Sequence, residues 1–106
     1  MAYADAARAR GNADLADLFD TIANAERMDH FNRHAKLAGL VGADADNLKE
    51  AIRGETYETS TMYPQMAHRA EAAGNKDVAR HFAEVGADEA KHRDAYGEAL
   101  DRLASN

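Results

Sequence analysis

Three pairs of potential metal ligands recur along the sequence, and the members of each pair are three residues apart. The pairs are Glu26 with Asp29, Glu55 with Glu58, and Glu89 with His92. Residues three apart on an α-helix project from the same side, and each pair lies in a stretch of helical periodicity. Five carboxylates and an imidazole facing one core require positive charge among them, because ionised carboxylates are costly to bury. The pattern therefore predicts a pair of divalent metal ions.

The ligand types indicate which metals would bind. Carboxylates and imidazole suit iron, manganese and, less selectively, zinc. A four-helix bundle can hold two metal ions with one Glu from each of two helices and a Glu-x-x-His motif from each of the other two. Glu89 and His92 match that motif unaltered, whereas Glu26 and Asp29 form a variant with aspartate in the place of histidine.

Glycine and asparagine divide the chain into an N-terminal stub and three long helices. The alanine-rich composition with one proline favours helices over strands, and apolar positions recur at helical spacing. Gly11-Asn12 and Gly74-Asn75 end two of the helical stretches. We predict an all-α bundle in a single domain, residues 1–106. The expected elements are a stub at 2–10, helices at about 13–37, 47–73 and 76–103, and a connection at 38–46.

Two glycines and the proline break helix rules near the proposed ligands. Gly54 lies inside the middle helix, where glycine costs about 1 kcal/mol relative to alanine. Pro64 removes a hydrogen bond from the same helix and predicts a kink, and Gly86 lies inside the last helix. Such violations gather at functional sites, but small residues also ease close helix packing. The sequence leaves both interpretations open.

The two halves of the chain are related by an internal repeat. The dipeptide Gly11-Asn12 recurs 63 residues later as Gly74-Asn75. At that spacing Glu26 corresponds to Glu89, Asp29 to His92, and Phe19 to Phe82. Two of the three ligand pairs are therefore copies of one another, as expected for a bundle built from two helical hairpins.

The composition excludes several classes of function. The absence of cysteine rules out disulfides, thiolate metal sites and thiol catalysis. The formal net charge of −6 disfavours nucleic acid and anionic membrane surfaces, and no stretch approaches the roughly 20 apolar residues of a membrane span. Since missing cysteine also fits a reducing compartment, we expect a cytoplasmic protein that binds neither nucleic acid nor membrane.

Other residues with chemical potential fit structural roles more simply. His30 and His34 have the i, i+4 spacing of a metal chelate, but His30 directly follows Asp29 and is expected to point away from the ligand side. Ser60 lacks a base at a spacing suited to nucleophilic catalysis. Tyr63 lies about one and a half turns beyond Glu58, where a phenol can hydrogen-bond a ligand or carry an electron, or simply fill the core.

The sequence resembles the ferritin-like domain of rubrerythrins over nearly its whole length. Residues 47–92, with the string GETYETSTMYP and the later Glu89-x-x-His92, are similar to the second half of that domain. Residues 7–30 are similar to the end of its first helix and most of its second. The resemblance implies a non-haem di-iron site that reduces hydrogen peroxide. It assigns Glu26 and Glu89 as bridging carboxylates, Glu55, Glu58 and His92 as terminal ligands, and Tyr63 as a tyrosine near the site.

Three departures from the family pattern refine these expectations. Asp29 stands where the family motif has histidine, and the harder oxygen ligand favours manganese. The first-helix glutamate has no counterpart, because the chain starts within that helix. No cysteine-rich rubredoxin-like domain follows, so electrons are expected from a separate donor protein.

The length of the connection favours a swapped homodimer. The second and third helices of a ferritin-like bundle run parallel, so residues 38–46 must climb roughly 24 Å and reach only about 30 Å when extended. Exchange of hairpins between two copies relieves this constraint. We predict a homodimer with two iron ions, or manganese or a mixed pair, that reduces peroxide or dioxygen. The alternative is a non-catalytic helical dimer that binds metal or holds a partner.

Overall fold

The computed structural model describes residues 1–106 and contains helices and turns but no strand. The helices are α1 (Ala2–Ala9), α2 (Ala13–Ala25), α3 (Asn32–Leu37), α4 (Asp44–Tyr57), α5 (Tyr63–Ala72) and α6 (Lys76–Ser105). A π-helical segment at Glu26–Phe31 joins α2 to α3, and another at Glu58–Met62 joins α4 to α5. The all-α prediction is confirmed, and the loop at residues 38–43 is shorter than the connection predicted from the sequence. None of the helices combines the length and apolarity needed to cross a membrane.

The chain forms two compact units, Met1–Val41 and Gly42–Asn106. In the first unit, α1 contacts α2, and Arg8 of α1 hydrogen-bonds Asp20 of α2. In the second unit, α6 contacts α4, the second π segment and α5. Each unit is therefore a helical hairpin, with one helix or run of helices folded back on another.

The two hairpin turns share one design, which accounts for the repeated Gly-Asn dipeptide. Gly11 and Gly74 both adopt a φ of 77°, a left-handed conformation that residues with a Cβ rarely take. The amides of Asn12 and Asn75 donate to the carbonyls of Ala7 and Ala70 at 2.9 Å, which is the Schellman pattern of a helix end. Each asparagine side chain then accepts the amide of the residue three further on, at 3.3 Å and 3.4 Å. One residue pair thus ends one helix and begins the next.

The second π segment lies immediately before Pro64. Proline has no N–H to donate to the carbonyl four residues earlier, and its ring clashes with that carbonyl. The helix widens into a π turn at Glu58–Met62 and resumes as α5 at Tyr63. The hydroxyls of Thr56 and Ser60 each donate to the carbonyl four residues before them at 2.7 Å. The kink at Pro64 stays a prediction; the structure has a π segment beside it, a feature that often marks functional sites.

Gly86 allows α6 to pack closely against α5, the helix that precedes it in the hairpin. A Cβ placed on Gly86 would lie 3.2 Å from the Cβ of Tyr63, tighter than nearly all real contacts of that kind. The packing interpretation thus accounts for Gly86. Gly54 differs, because a Cβ there would meet no atom within 4 Å.

Only small side chains are buried in this chain. The buried apolar residues are Ala4, Ala7, Ala16 and Ala79. Larger apolar side chains are half-buried or exposed. Leu18, Ile22 and Phe31 of the first unit are 54%, 52% and 68% exposed. A core made of alanine contributes little hydrophobic free energy, because burial stabilises in proportion to apolar area. Both hairpins therefore leave large apolar side chains in contact with solvent.

Candidate metal centre

Three of the predicted ligands meet within the second unit. Glu55 lies on α4, while Glu89 and His92 lie on α6, and contact between these helices brings the three together. One ligand atom from each lies within 4.8 Å of the other two. His92 Nδ1 is 3.3 Å from Glu89 Oε2 and 3.7 Å from Glu55 Oε1. Glu89 and His92 therefore project from the same side of α6, as their i, i+3 spacing predicts.

The carboxylates of this cluster perturb one another strongly. The pKa of Glu55 rises to about 7, chiefly because a hydrogen bond to Glu89 favours the protonated form and because the side chain is desolvated. Desolvation, and then a hydrogen bond to Glu89, also raise the pKa of Glu58. The pKa of Glu89 is lowered, since hydrogen bonds from Glu55 and His92 favour its ionised form. Without a cation, these carboxylates therefore retain a proton until the pH approaches about 7.

The donor set of this cluster fits a divalent cation. The side chains of Glu55 and Glu89 are only 15% and 16% exposed, and Glu55 Oε2 is buried without a hydrogen-bond partner. A buried carboxylate oxygen that lacks a donor is costly, and the pKa shifts show that protons partly fill the deficit. A metal ion would replace those protons, because carboxylates and neutral imidazole are ligands for iron and manganese.

The first unit carries the other predicted pair on its π segment. Glu26 and Asp29 are both exposed there, with the Glu26 side chain 61% exposed. Four of the six predicted ligands thus lie in the second unit, and two lie in the first. That all six bind one metal pair stays a prediction.

The expected orientation of His30 is wrong. His30 Nδ1 lies 2.6 Å from Glu26 Oε2, so the imidazole shares a side of the helix with the ligand carboxylate. Residues four apart also share a side in an α-helix, so the prediction failed because it compared His30 only with Asp29 and not with Glu26. The i, i+4 spacing of Glu26 and His30 is the sequence signal that could have identified this pair.

Tyr63 begins α5 beside the last helix of the second unit. Its ring centroid lies 6.2 Å from that of Phe82, and the two residues line a groove with Thr59, Gly86 and Ala90. The hydroxyl of Thr59 is buried without a hydrogen-bond partner. The contacts of Tyr63 are those of a packed side chain, and its role at the metal centre stays a prediction.

Comparisons with known proteins point to one family. The family profile described as Rubrerythrin matches residues 1–100. The rubrerythrin of Porphyromonas gingivalis is 30% identical, over 89% of this chain and 53% of its own length. Nigerythrin of Nitratidesulfovibrio vulgaris is 32% identical, over 90% of this chain and 54% of its own length. Rubrerythrin-1 of Clostridium acetobutylicum is 30% identical, over 98% of this chain and 62% of its own length. The chain spans roughly half the length of the curated relatives it matches.

Proposed function

The chain belongs to the rubrerythrin family, and from that membership and the carboxylate cluster we propose that it is a dinuclear metal protein that reduces peroxide or dioxygen. Members of the family bind a di-iron site, and the fold is the all-α ferritin-like bundle that such sites require. We propose iron as the metal, with manganese or a mixed pair as the alternatives. Glu26, Asp29, Glu55, Glu58, Glu89 and His92 are the proposed ligands.

One observation carries this proposal: the buried, unpartnered oxygen of Glu55 among other carboxylates. Glu55, Glu89 and His92 converge to within 4.8 Å, and Glu55 Oε2 has no hydrogen-bond donor. A purely structural salt bridge would place a Lys or Arg among these carboxylates. Here the only basic side chain in contact is His92, so the cluster is suited to receive a cation from solution.

The chemistry at this centre would be a two-electron reduction. When bound, two redox-active metal ions supply two electrons to cleave the O–O bond of hydrogen peroxide, and two protons complete two molecules of water. The raised pKa of Glu55 keeps a proton at the cluster near neutral pH before metal binds, and metal binding releases it. The electrons would be restored by a separate donor protein, which we propose as a partner.

The chain connectivity supports completion of the centre by a second copy. Glu26 lies eleven residues before the end of α3, and Glu55 lies eleven residues after the start of α4. In parallel helices, placing these two glutamates at one level requires a climb of about 30 Å. The six-residue loop 38–43 reaches at most about 25 Å. The first hairpin of another copy is free of this limit, so we propose a homodimer with exchanged hairpins.

The exposed apolar side chains support the same assembly. Leu18, Ile22 and Phe31 of the first unit are each more than half exposed, and Tyr57 of the second unit is 56% exposed. Covering each large apolar side chain contributes about 1.5–3 kcal/mol. A dimer that buries these faces would acquire the core that the alanine contacts do not provide.

A second candidate function is a non-catalytic metal-binding dimer. The observation that favours it is aspartate at position 29, where the family motif has histidine, together with the exposure of Glu26 and Asp29. In this case the cluster of the second unit would hold a metal without redox turnover.

Metal analysis of the purified protein tests both candidates. After growth with iron and manganese, we expect about two metal ions per chain by elemental analysis, a mass of twice 11.5 kDa by light scattering, and consumption of peroxide with a chemical reductant. Glu89→Gln should lose most of the metal, whereas Glu84→Gln, an exposed position on the same helix, should retain it. Bound metal without peroxide consumption favours the second candidate. A metal-free monomer contradicts both.

A further inference from the structure

The first unit holds a carboxylate–imidazole pair that matches the pair of the second unit atom for atom. Glu26 Oε2 lies 2.6 Å from His30 Nδ1, and Glu89 Oε2 lies 3.3 Å from His92 Nδ1. Two ligands at about 2.1 Å from one ion, at right angles to each other, are about 3 Å apart. The two observed distances lie on either side of this value, one for residues four apart and the other for residues three apart.

The backbone explains the difference in spacing. Glu89 and His92 lie in the α-helix α6, where each residue turns the chain by about 100°. Glu26 and His30 lie in the π segment, whose turn contains about one more residue, so each residue advances roughly 80°. Three residues then place Asp29 about a third of a turn away from Glu26, while four bring His30 back to within about 40° of it.

We propose that His30, and not Asp29, is the nitrogen ligand that the first unit contributes to the metal centre. The inference rests on the proposed metal centre and changes its ligand set. The π segment keeps His30 beside Glu26, as an α-helix would, but turns Asp29 about a third of a turn away. Charge agrees with this assignment. Four carboxylates with two neutral imidazoles balance two divalent cations, whereas Asp29 in place of His30 leaves one negative charge uncompensated.

In a rival arrangement, His30 binds a metal ion together with Glu26 and His34 on the first unit alone and takes no part in the metal centre. The rings of His30 and His34 are stacked, with centroids 6.4 Å apart and planes at 25°, which places Glu26, His30 and His34 along one helix face. The structure does not gather their ligand atoms: the group that meets within 4.8 Å is Glu55, Glu89 and His92. His34 accepts or donates no side-chain hydrogen bond to Glu26, unlike His30.

Three single substitutions separate these assignments: His30→Ala, Asp29→Ala and His34→Ala. Each full-length protein would be stripped of metal and titrated with Mn²⁺ by calorimetry, and nitrogen couplings to the bound Mn²⁺ would be counted by pulsed electron paramagnetic resonance. We expect His30→Ala to weaken binding at least about tenfold and to remove one imidazole coupling. His92→Ala should do the same, while Asp29→Ala and His34→Ala should change affinity by less than about threefold. Circular dichroism of every variant would establish that the helices are retained.

The outcomes distinguish this inference from the proposed function. If Asp29→Ala loses the metal and His30→Ala keeps both affinity and couplings, His30 is not a ligand and the inference fails while the metal centre stands. Equal losses in His30→Ala and His34→Ala would identify the one-helix chelate and also overturn it. A wild-type protein that binds no Mn²⁺ or Fe²⁺ would overturn the metal centre itself, and the inference with it. As a further check, adding Asp29→His to the His30→Ala protein should not restore the lost coupling, because the π segment turns position 29 away.

Discussion

The proton shared by the carboxylates of the second unit should make the metal-free protein less stable as the pH rises from 4.5 to 7. The pKa of Glu55 is about 7 in the folded protein and 4.5 as its ordinary value. Because the folded value is the higher one, the stabilisation is complete below pH 4.5 and is lost as the pH rises through 7. The pKa of Glu58 is shifted in the same direction. The lowered pKa of Glu89 acts only at pH values below this window.

The size of the effect follows from the shift. One pKa unit corresponds to about 1.4 kcal/mol, so the free energy of unfolding should fall by up to about 3 kcal/mol between pH 4.5 and 7. The measured fall should be smaller, because solvent that still reaches Glu55 screens its interactions. Urea unfolding of metal-free protein, followed by circular dichroism at pH 5 and pH 7.5 and at fixed protein concentration, measures it. Glu55→Gln should flatten the dependence, since glutamine does not titrate, whereas Glu84→Gln should leave it unchanged.

Bound metal should reverse the direction in which the free energy of unfolding changes with pH. Bound cations displace the proton, so in saturating Mn²⁺ the stability should increase with pH over the same range. A metal-free protein whose stability is constant or increases between pH 5 and pH 7.5 would refute the shared proton. A Glu55→Gln variant with an unchanged slope would show that another group is responsible.

Further predictions concern single substitutions at Gly86, Gly54, Asn75 and Tyr63. Gly86→Ala should destabilise the protein by up to about 2 kcal/mol in urea unfolding, because the crowding of its Cβ against Tyr63 at 3.2 Å outweighs the gain of up to about 1 kcal/mol in helix propensity. Gly54→Ala meets no atom and should stabilise by up to about 1 kcal/mol, and a loss there would instead indicate a partner helix. Asn75→Ala should cost about 1 kcal/mol by removing the bond to the Val78 amide, with no loss on Asn75→Asp. Tyr63→Phe should retain stability and metal content but slow peroxide consumption if the phenol takes part, and an unchanged rate would assign Tyr63 to packing alone.

Helices and turns followed directly from local sequence. Alanine content and apolar spacing predicted each helix to within a few residues, and Gly-Asn predicted both hairpin turns, because one residue pair supplies both the left-handed conformation and the helix cap. The Glu89–His92 pair was likewise predictable, since both residues lie on one regular α-helix.

The π segments were not predictable from periodicity. Six residues at Glu26–Phe31 change the angular position of every later side chain, yet a pattern of apolar residues over so short a stretch fits both helix types. The rotation of position 29 away from Glu26 was therefore not predictable, whereas the i, i+4 pairing of Glu26 with His30 was. For the second π segment, Pro64 was a visible signal of disturbance but did not specify its form.

The sequence by itself determined where the helices lie and which ligand types each one carries, because these depend on interactions between residues a few positions apart. Only the tertiary structure decided that Glu55 meets Glu89 across the hairpin and that their pKa values move in opposite directions. Those outcomes depend on the approach of separate helices, which is not encoded at any single position of the chain.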